Sequence, residues 1–169
     1  MPDYEWRITK YNPAQRSETG SFTGTTWSSV WDIGESFEDE LTVEEYLRVE
    51  TAYADVATSL AVESNAYQLH ISELESFDDS QDELAKLGLP KISRKLPKQD
   101  SVVSVTEIGD LVRIALRELA WFKIQTHSFF IHFGRDFYMY AGSDVPCERS
   151  RKLARSRGLF VEDFTSPYA

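Results

Sequence analysis

The sequence predicts an α+β domain, with helices packed on one face of a mostly antiparallel sheet, and three observations predict it. Strand-like alternation and helix-like spacing are interleaved along the chain. The gaps between the later strand candidates suit hairpins and are too short for parallel crossovers. A chain of 169 residues, 41% hydrophobic and with 4 Trp, 8 Tyr and 10 Phe, suits a single core. One domain over 1–169 with about four helices is expected, organised as an acidic half 1–85, a basic connection 89–103 and a helix with an aromatic meander 104–169.

Glu5 to Tyr11 alternates and predicts the first strand, which Asn12-Pro13 ends. Ala14 to Thr26 is polar and long for a loop. Trp27, Ser29, Trp31 and Ile33 share one parity, which predicts a second strand closed by Gly34. Thr42 and Glu45 have capping-box spacing, and Tyr46, Val49, Tyr53, Val56, Ala57 and Leu60 carry the helical period on to about Glu63. Glu50 falls between Tyr46 and Tyr53. It is expected at the edge of the apolar stripe, reaching water, with a buried functional acid as the other possibility. Tyr67 to Ser72 alternates as a strand with Tyr67, Leu69 and Ile71 inward. Ser80 and Glu83 form a second capping box, before a short helix that Gly88 stops.

Leu89 to Val103 is basic and holds Pro90 and Pro97, so it reads as a flexible connection. Ser104 and Glu107 form a third box, and Ile108, Leu111, Val112, Ala115, Leu116 and Leu119 make a core-facing stripe. Phe122–Thr126, Phe129–Phe133 and Phe137–Ala141 follow as a meander joined by His127-Ser128 and Gly134-Arg135-Asp136. Its second parity, Phe130, His132, Tyr138 and Tyr140, is an exposed patch and a candidate interface if no helix covers it, with structural core as the favoured reading. Pro146 opens a last helix running to Arg157, and Leu159 to Phe164 is a final strand.

Charge is the most directional feature. Residues 1–85 carry 19 acids against 4 bases, and residues 86–169 carry 9 against 14, for the overall net charge of −10. Such asymmetry bears on partners rather than fold. It disfavours nucleic acid, whose phosphates need cations, and favours a basic protein. No apolar run is long enough for a membrane span, and Met1 to Lys10 has no secretory pattern. A lone Cys147 fits a reducing compartment, so a cytoplasmic location is expected.

Few residues point to chemistry. Cys147 lies at a helix start followed by Arg149, Arg151 and Lys152, where a thiolate is favoured, and His127 or His132 could serve as its base. A small buried filler is the stronger reading. The three histidines match no metal spacing, and Asp78-Asp79-Ser80-Gln81-Asp82 lacks the calcium-loop pattern, so neither metal nor cofactor is expected. Helix starts explain part of each acidic cluster, and the surplus reads as a binding face. Lys91 to Lys98 and Arg149 to Arg157 form the basic patch that an adaptor would use.

Trp6-Arg7-Ile8-Thr9-Lys10-Tyr11-Asn12-Pro13 with Trp31-Asp32-Ile33-Gly34, His132 to Tyr140, Gly158 to Glu162 and Ser166-Pro167-Tyr168 resemble the ends of small bacterial proteins of uncharacterised function. In size and acidity these are similar to immunity proteins that neutralise toxins. The resemblance implies no catalytic residue. The expected function is an immunity-type inhibitor of a basic partner. Glu38, Asp39, Asp78, Asp79 and Asp82 would act as steering charges, and Trp27, Trp31 or Tyr138 as interface anchors. An enzyme using Cys147 and histidine, or Glu50, is the alternative.

Overall fold

The computed structural model describes residues 1–77 and 79–168. Among them are seven strands: β1 (Tyr4–Thr9), β2 (Gln68–Ser76), β3 (Val102–Ser104), β4 (Ala120–Gln125), β5 (Phe129–Phe133), β6 (Met139–Ser143) and β7 (Phe160–Asp163). They form one sheet in the order β3-β2-β4-β5-β6-β1-β7, with every pairing antiparallel. Four helices accompany it: α1 (Val43–Glu63), α2 (Gln81–Lys86), α3 (Ile108–Leu116) and α4 (Glu148–Ser156). The architecture is α+β. No helix among the described residues is long and apolar enough to cross a membrane.

α1 is flanked by α3 and α4, and its stripe (Tyr46, Val49, Tyr53, Val56, Ala57, Leu60) is buried in the core with Trp6, Ile8, Phe129, Ile131 and Met139. Thr42 caps it by accepting from the Glu45 N–H at 3.1 Å, while the Glu45 carboxylate turns to Arg48. The Ser104–Glu107 box closes in both directions and opens a 3-10 turn leading into α3. At Ser80 the expected box gives way to Asp79, whose carboxylate accepts from the Gln81 N–H at 3.1 Å.

The structure corrects three expectations. Trp27 to Ile33 is not a strand, because a 3-10 turn occupies Val30–Asp32. Asp32 accepts from the N–H groups of Ser28 and Ser29, and Ser29 from that of Trp31, so side chains take the backbone donors a ladder would have used. Tyr67 precedes β2 and is exposed, leaving Leu69 and Ile71 as its inward residues. Residues 89–101 are not a free joint. Leu89 and Ile92 are buried, Gln81 exchanges two bonds with Ile92, and the Pro90 carbonyl accepts from Arg117.

The sheet face away from the helices is covered by residues 164–168. Register aligns Ser72, Lys123, His132, Tyr140, Arg7 and Glu162 in one row across six strands. Residues 164–168 lie across this row as a strap. Arg7 stacks on Phe164 at 4.0 Å, Tyr140 packs on Phe164 and Tyr168, Ser166 bonds His132, and Lys123 donates to the Tyr168 carbonyl. Phe130, His132 and Tyr140 are therefore buried, in keeping with the favoured core reading of this stretch.

Candidate functional site

α3 ends at a left-handed residue. Glu118 (φ 59°) donates its N–H to the Ala115 carbonyl, and Leu119 donates to Ile114, both at 3.1 Å. This is the reciprocal closure that glycine usually makes. The chain then enters β4 with Trp121, whose indole N–H donates to the Phe133 carbonyl. Across the sheet, the turn between β5 and β6 holds Asp136 (φ 58°) and Phe137 (φ 67°) in left-handed conformations. Two tyrosine hydroxyls secure them: Tyr11 donates to the Asp136 carbonyl, and Tyr53 to that of Phe137 at 2.7 Å. β2 contributes a register shift between Ser72 and Glu75 and pairs Glu75 with Trp121.

These turns surround a groove of about 770 Å³. Phe77, Trp121 and Tyr168 supply aromatic surface, the buried Phe137 lies behind it, Ser28 and Ser29 form one wall, and Glu75, Glu118 and Asp136 supply the charge, with Arg135 as the one cation in its lining among the described residues. Glu118 accepts from the Ser29 hydroxyl at 2.7 Å.

A second hollow of about 430 Å³ adjoins it. Glu38, Asp39 and Glu40 rim it at the tip of a turn closed by the Ser36–Glu40 bridge. Lys10 lies at its base, donating to Thr26 at 3.2 Å and sitting 4.1 Å from the Trp27 ring and 4.6 Å from that of Tyr11. Burial lowers its pKa to about 8, against the opposing pull of Asp32 and Glu45. Trp27 and Phe137 meet edge to face at 5.0 Å, with Trp27 lining this hollow and Phe137 the groove, so the pair is the partition between them.

Of the residues singled out from sequence, Glu38, Asp39 and Trp27 share the second hollow. Asp79 and Asp82 are exposed at the start of α2, where Asp82 pairs with Lys91 at 2.5 Å. Asp78 lies outside the described residues. Trp31 is exposed, and Tyr138 is half-buried on the strap side of the sheet, accepting from Arg16 at 2.8 Å. The groove acids were not anticipated, although one carried a signal: Glu118 stands at a helix C-terminus, where the dipole disfavours an acid.

The Cys147 thiolate reading is overturned. Cys147 is buried, its sulfur contacts the Ser64 hydroxyl at 3.3 Å, and burial pushes its pKa up. His127 is exposed, and His132 is engaged with Ser166. No metal-binding cluster occurs among the described residues. Glu50 does not reach water: it is fully buried and gripped by Arg117, with Arg113 at 3.6 Å. Several bases of the adaptor patch are engaged by acids of this chain, Arg94 by Glu107, Arg149 by Glu63 and Arg157 by Asp55.

No protein-family model, curated protein or solved structure matches the chain.

Proposed function

We propose that this chain is a cytoplasmic binding module for a basic protein, an inhibitor of the bacterial immunity type. The observation that carries the reading is the adjoining pair of acid-rimmed hollows. Glu38, Asp39, Glu75, Glu118 and Asp136 come from four separate stretches of chain, and among the described residues none is in an ion pair. Carboxylates left open to solvent beside aromatic surface give a basic partner both steering and an apolar contact. The buried state of Cys147 and the closed Glu50–Arg117 pair speak against the enzymatic alternative built on those residues.

The test is capture of the tagged protein's partner from its source cells. The expected result is one stoichiometric basic protein whose production alone arrests growth and whose toxicity is relieved by co-production of this chain. Glu38→Lys with Asp39→Lys should slow association by roughly tenfold and flatten its salt dependence. A partner whose toxicity is unrelieved, or whose association ignores both substitutions, overturns the proposal.

A further inference from the structure

The groove between α3 and the β5–β6 turn has a more specific chemistry than negative charge. Its carboxylates share a lining with aromatic rings: Glu75 faces Trp121 across the β2–β4 pair, and Trp121 packs edge to face with Tyr168 at 6.1 Å. Ammonium and guanidinium groups respond differently to such a site. A guanidinium is planar, weakly hydrated and five-fold donating, so it stacks on a ring while its edge binds a carboxylate. An ammonium is a strongly hydrated point charge that loses more on leaving water.

The chain already uses this combination twice nearby. Arg7 lies 4.0 Å from the Phe164 ring centroid while two of its nitrogens bond Glu162 at 3.1 and 3.0 Å. Arg16 lies 5.4 Å from the Tyr138 ring centroid and reaches the same carboxylate at 3.3 Å. Both guanidiniums belong to the chain itself. In the groove the same ring-plus-carboxylate composition opens to solvent.

We infer that this groove is the receptacle for an arginine-bearing segment of the basic partner, the guanidinium stacking on Trp121 and bonding Glu118 and Asp136. The inference rests on the proposed basic-protein function. A volume of about 770 Å³ lies in the upper part of the range of pockets that bury a drug-sized ligand, more than one arginine side chain fills, so the occupant is a segment rather than one residue. The backbone supports the assignment. Glu118 and Asp136 both hold left-handed conformations, and both are exposed residues of the groove's lining. Arg135 is exposed at the rim and in no ion pair among the described residues. It opposes an incoming cation, so Arg135→Ala should strengthen binding.

The probes are fluorescein-labelled octa-arginine and octa-lysine, read by anisotropy at two salt concentrations against the intact protein. Octa-arginine should bind roughly tenfold more tightly than octa-lysine. The triple variant Glu75→Gln, Glu118→Gln, Asp136→Asn should lose roughly tenfold of the octa-arginine affinity. These surface substitutions keep hydrogen-bonding groups, and an unchanged melting temperature verifies the fold. Trp121→Leu should erase the preference for arginine while leaving the octa-lysine affinity alone. Equal binding of both peptides overturns the guanidinium receptacle and leaves the basic-partner reading standing. Preferential octa-arginine binding that survives the triple variant but falls with Glu38→Lys and Asp39→Lys places the peptide in the other hollow and likewise overturns it. Binding of neither peptide sinks both.

Discussion

Arg117 closes on Glu50 with two hydrogen bonds, Nε to Oε2 at 2.8 Å and Nη2 to Oε1 at 2.7 Å, where Glu50 has no exposed surface. The remaining Arg117 nitrogen donates to the Pro90 carbonyl at 2.7 Å, so the pair ties α1, the end of α3 and the basic connection together. Without Glu50, Arg117 would be a buried charge with no carboxylate partner, and without Arg117 the buried Glu50 would keep only the longer contact to Arg113 at 3.6 Å. Glu50→Leu and Arg117→Met, made singly, should each destabilise by about 3–5 kcal/mol in urea unfolding, and the double variant should regain most of that loss. Additive losses would mean the pair is not the unit that matters.

His132 gives the fold a pH dependence. Burial, with a smaller push from Lys123, lowers its pKa from 6.5 to about 4. The unfolded chain therefore binds a proton that the folded chain refuses. Stability from this residue is complete above pH 6.5, is lost as pH falls from there to about 4, and changes no further below. The loss is on the order of 3 kcal/mol. His132→Gln should flatten the profile in that window relative to the parent chain, and an unchanged difference curve would refute the assignment.

Glu118 occupies a backbone conformation that suits glycine. Glu118→Gly should stabilise the protein by about 1 kcal/mol in chemical denaturation while weakening octa-arginine binding. Opposite signs in the two assays are the expected signature. A loss in both would assign Glu118 to packing.

Lys10 is costly as a cation. With its folded pKa near 8 against 10.5 unfolded, the cost is present in full below pH 8 and is relieved as pH rises from 8 to 10.5. Lys10→Met should stabilise the protein at neutral pH by about 1–2 kcal/mol, allowing for the amine's remaining solvent contact, and the gain should vanish above pH 10.5. The side-chain carbon shifts of Lys10, followed by NMR, would report the midpoint directly.

Cys147 should react slowly with a disulfide reagent in the folded protein and fast once unfolded, since its thiol is buried against Ser64. Fast labelling at native pH would restore it as a candidate nucleophile.

What the sequence made legible was whatever local spacing controls. The α1 and α3 stripes, the Ser104–Glu107 box and β5 follow from 3.6- and 2-residue periods and short-range hydrogen bonds. Trp27 to Ile33 misled because its period of two was genuine, while Ser29 and Asp32 captured the N–H groups at short range. Glu50 misled because its partner is 67 positions away, beyond any window of periodicity. The groove was hidden for the same reason. Glu75 lies in β2, Glu118 just past α3 and Asp136 in the β5–β6 turn, and only the sheet order brings them together.

The placement of tryptophan has an optical consequence. Trp6 is sealed in the core, Trp27 sits beneath the Lys10 amine, Trp31 faces water, and Trp121 alone of the four lines the groove. An occupant that excludes water from Trp121 shifts its emission to the blue, while the other three supply a steady background. Replacing Trp31 with Phe removes the solvent-exposed emitter and leaves the groove with its own native reporter, so occupancy becomes a spectral reading on unlabelled protein.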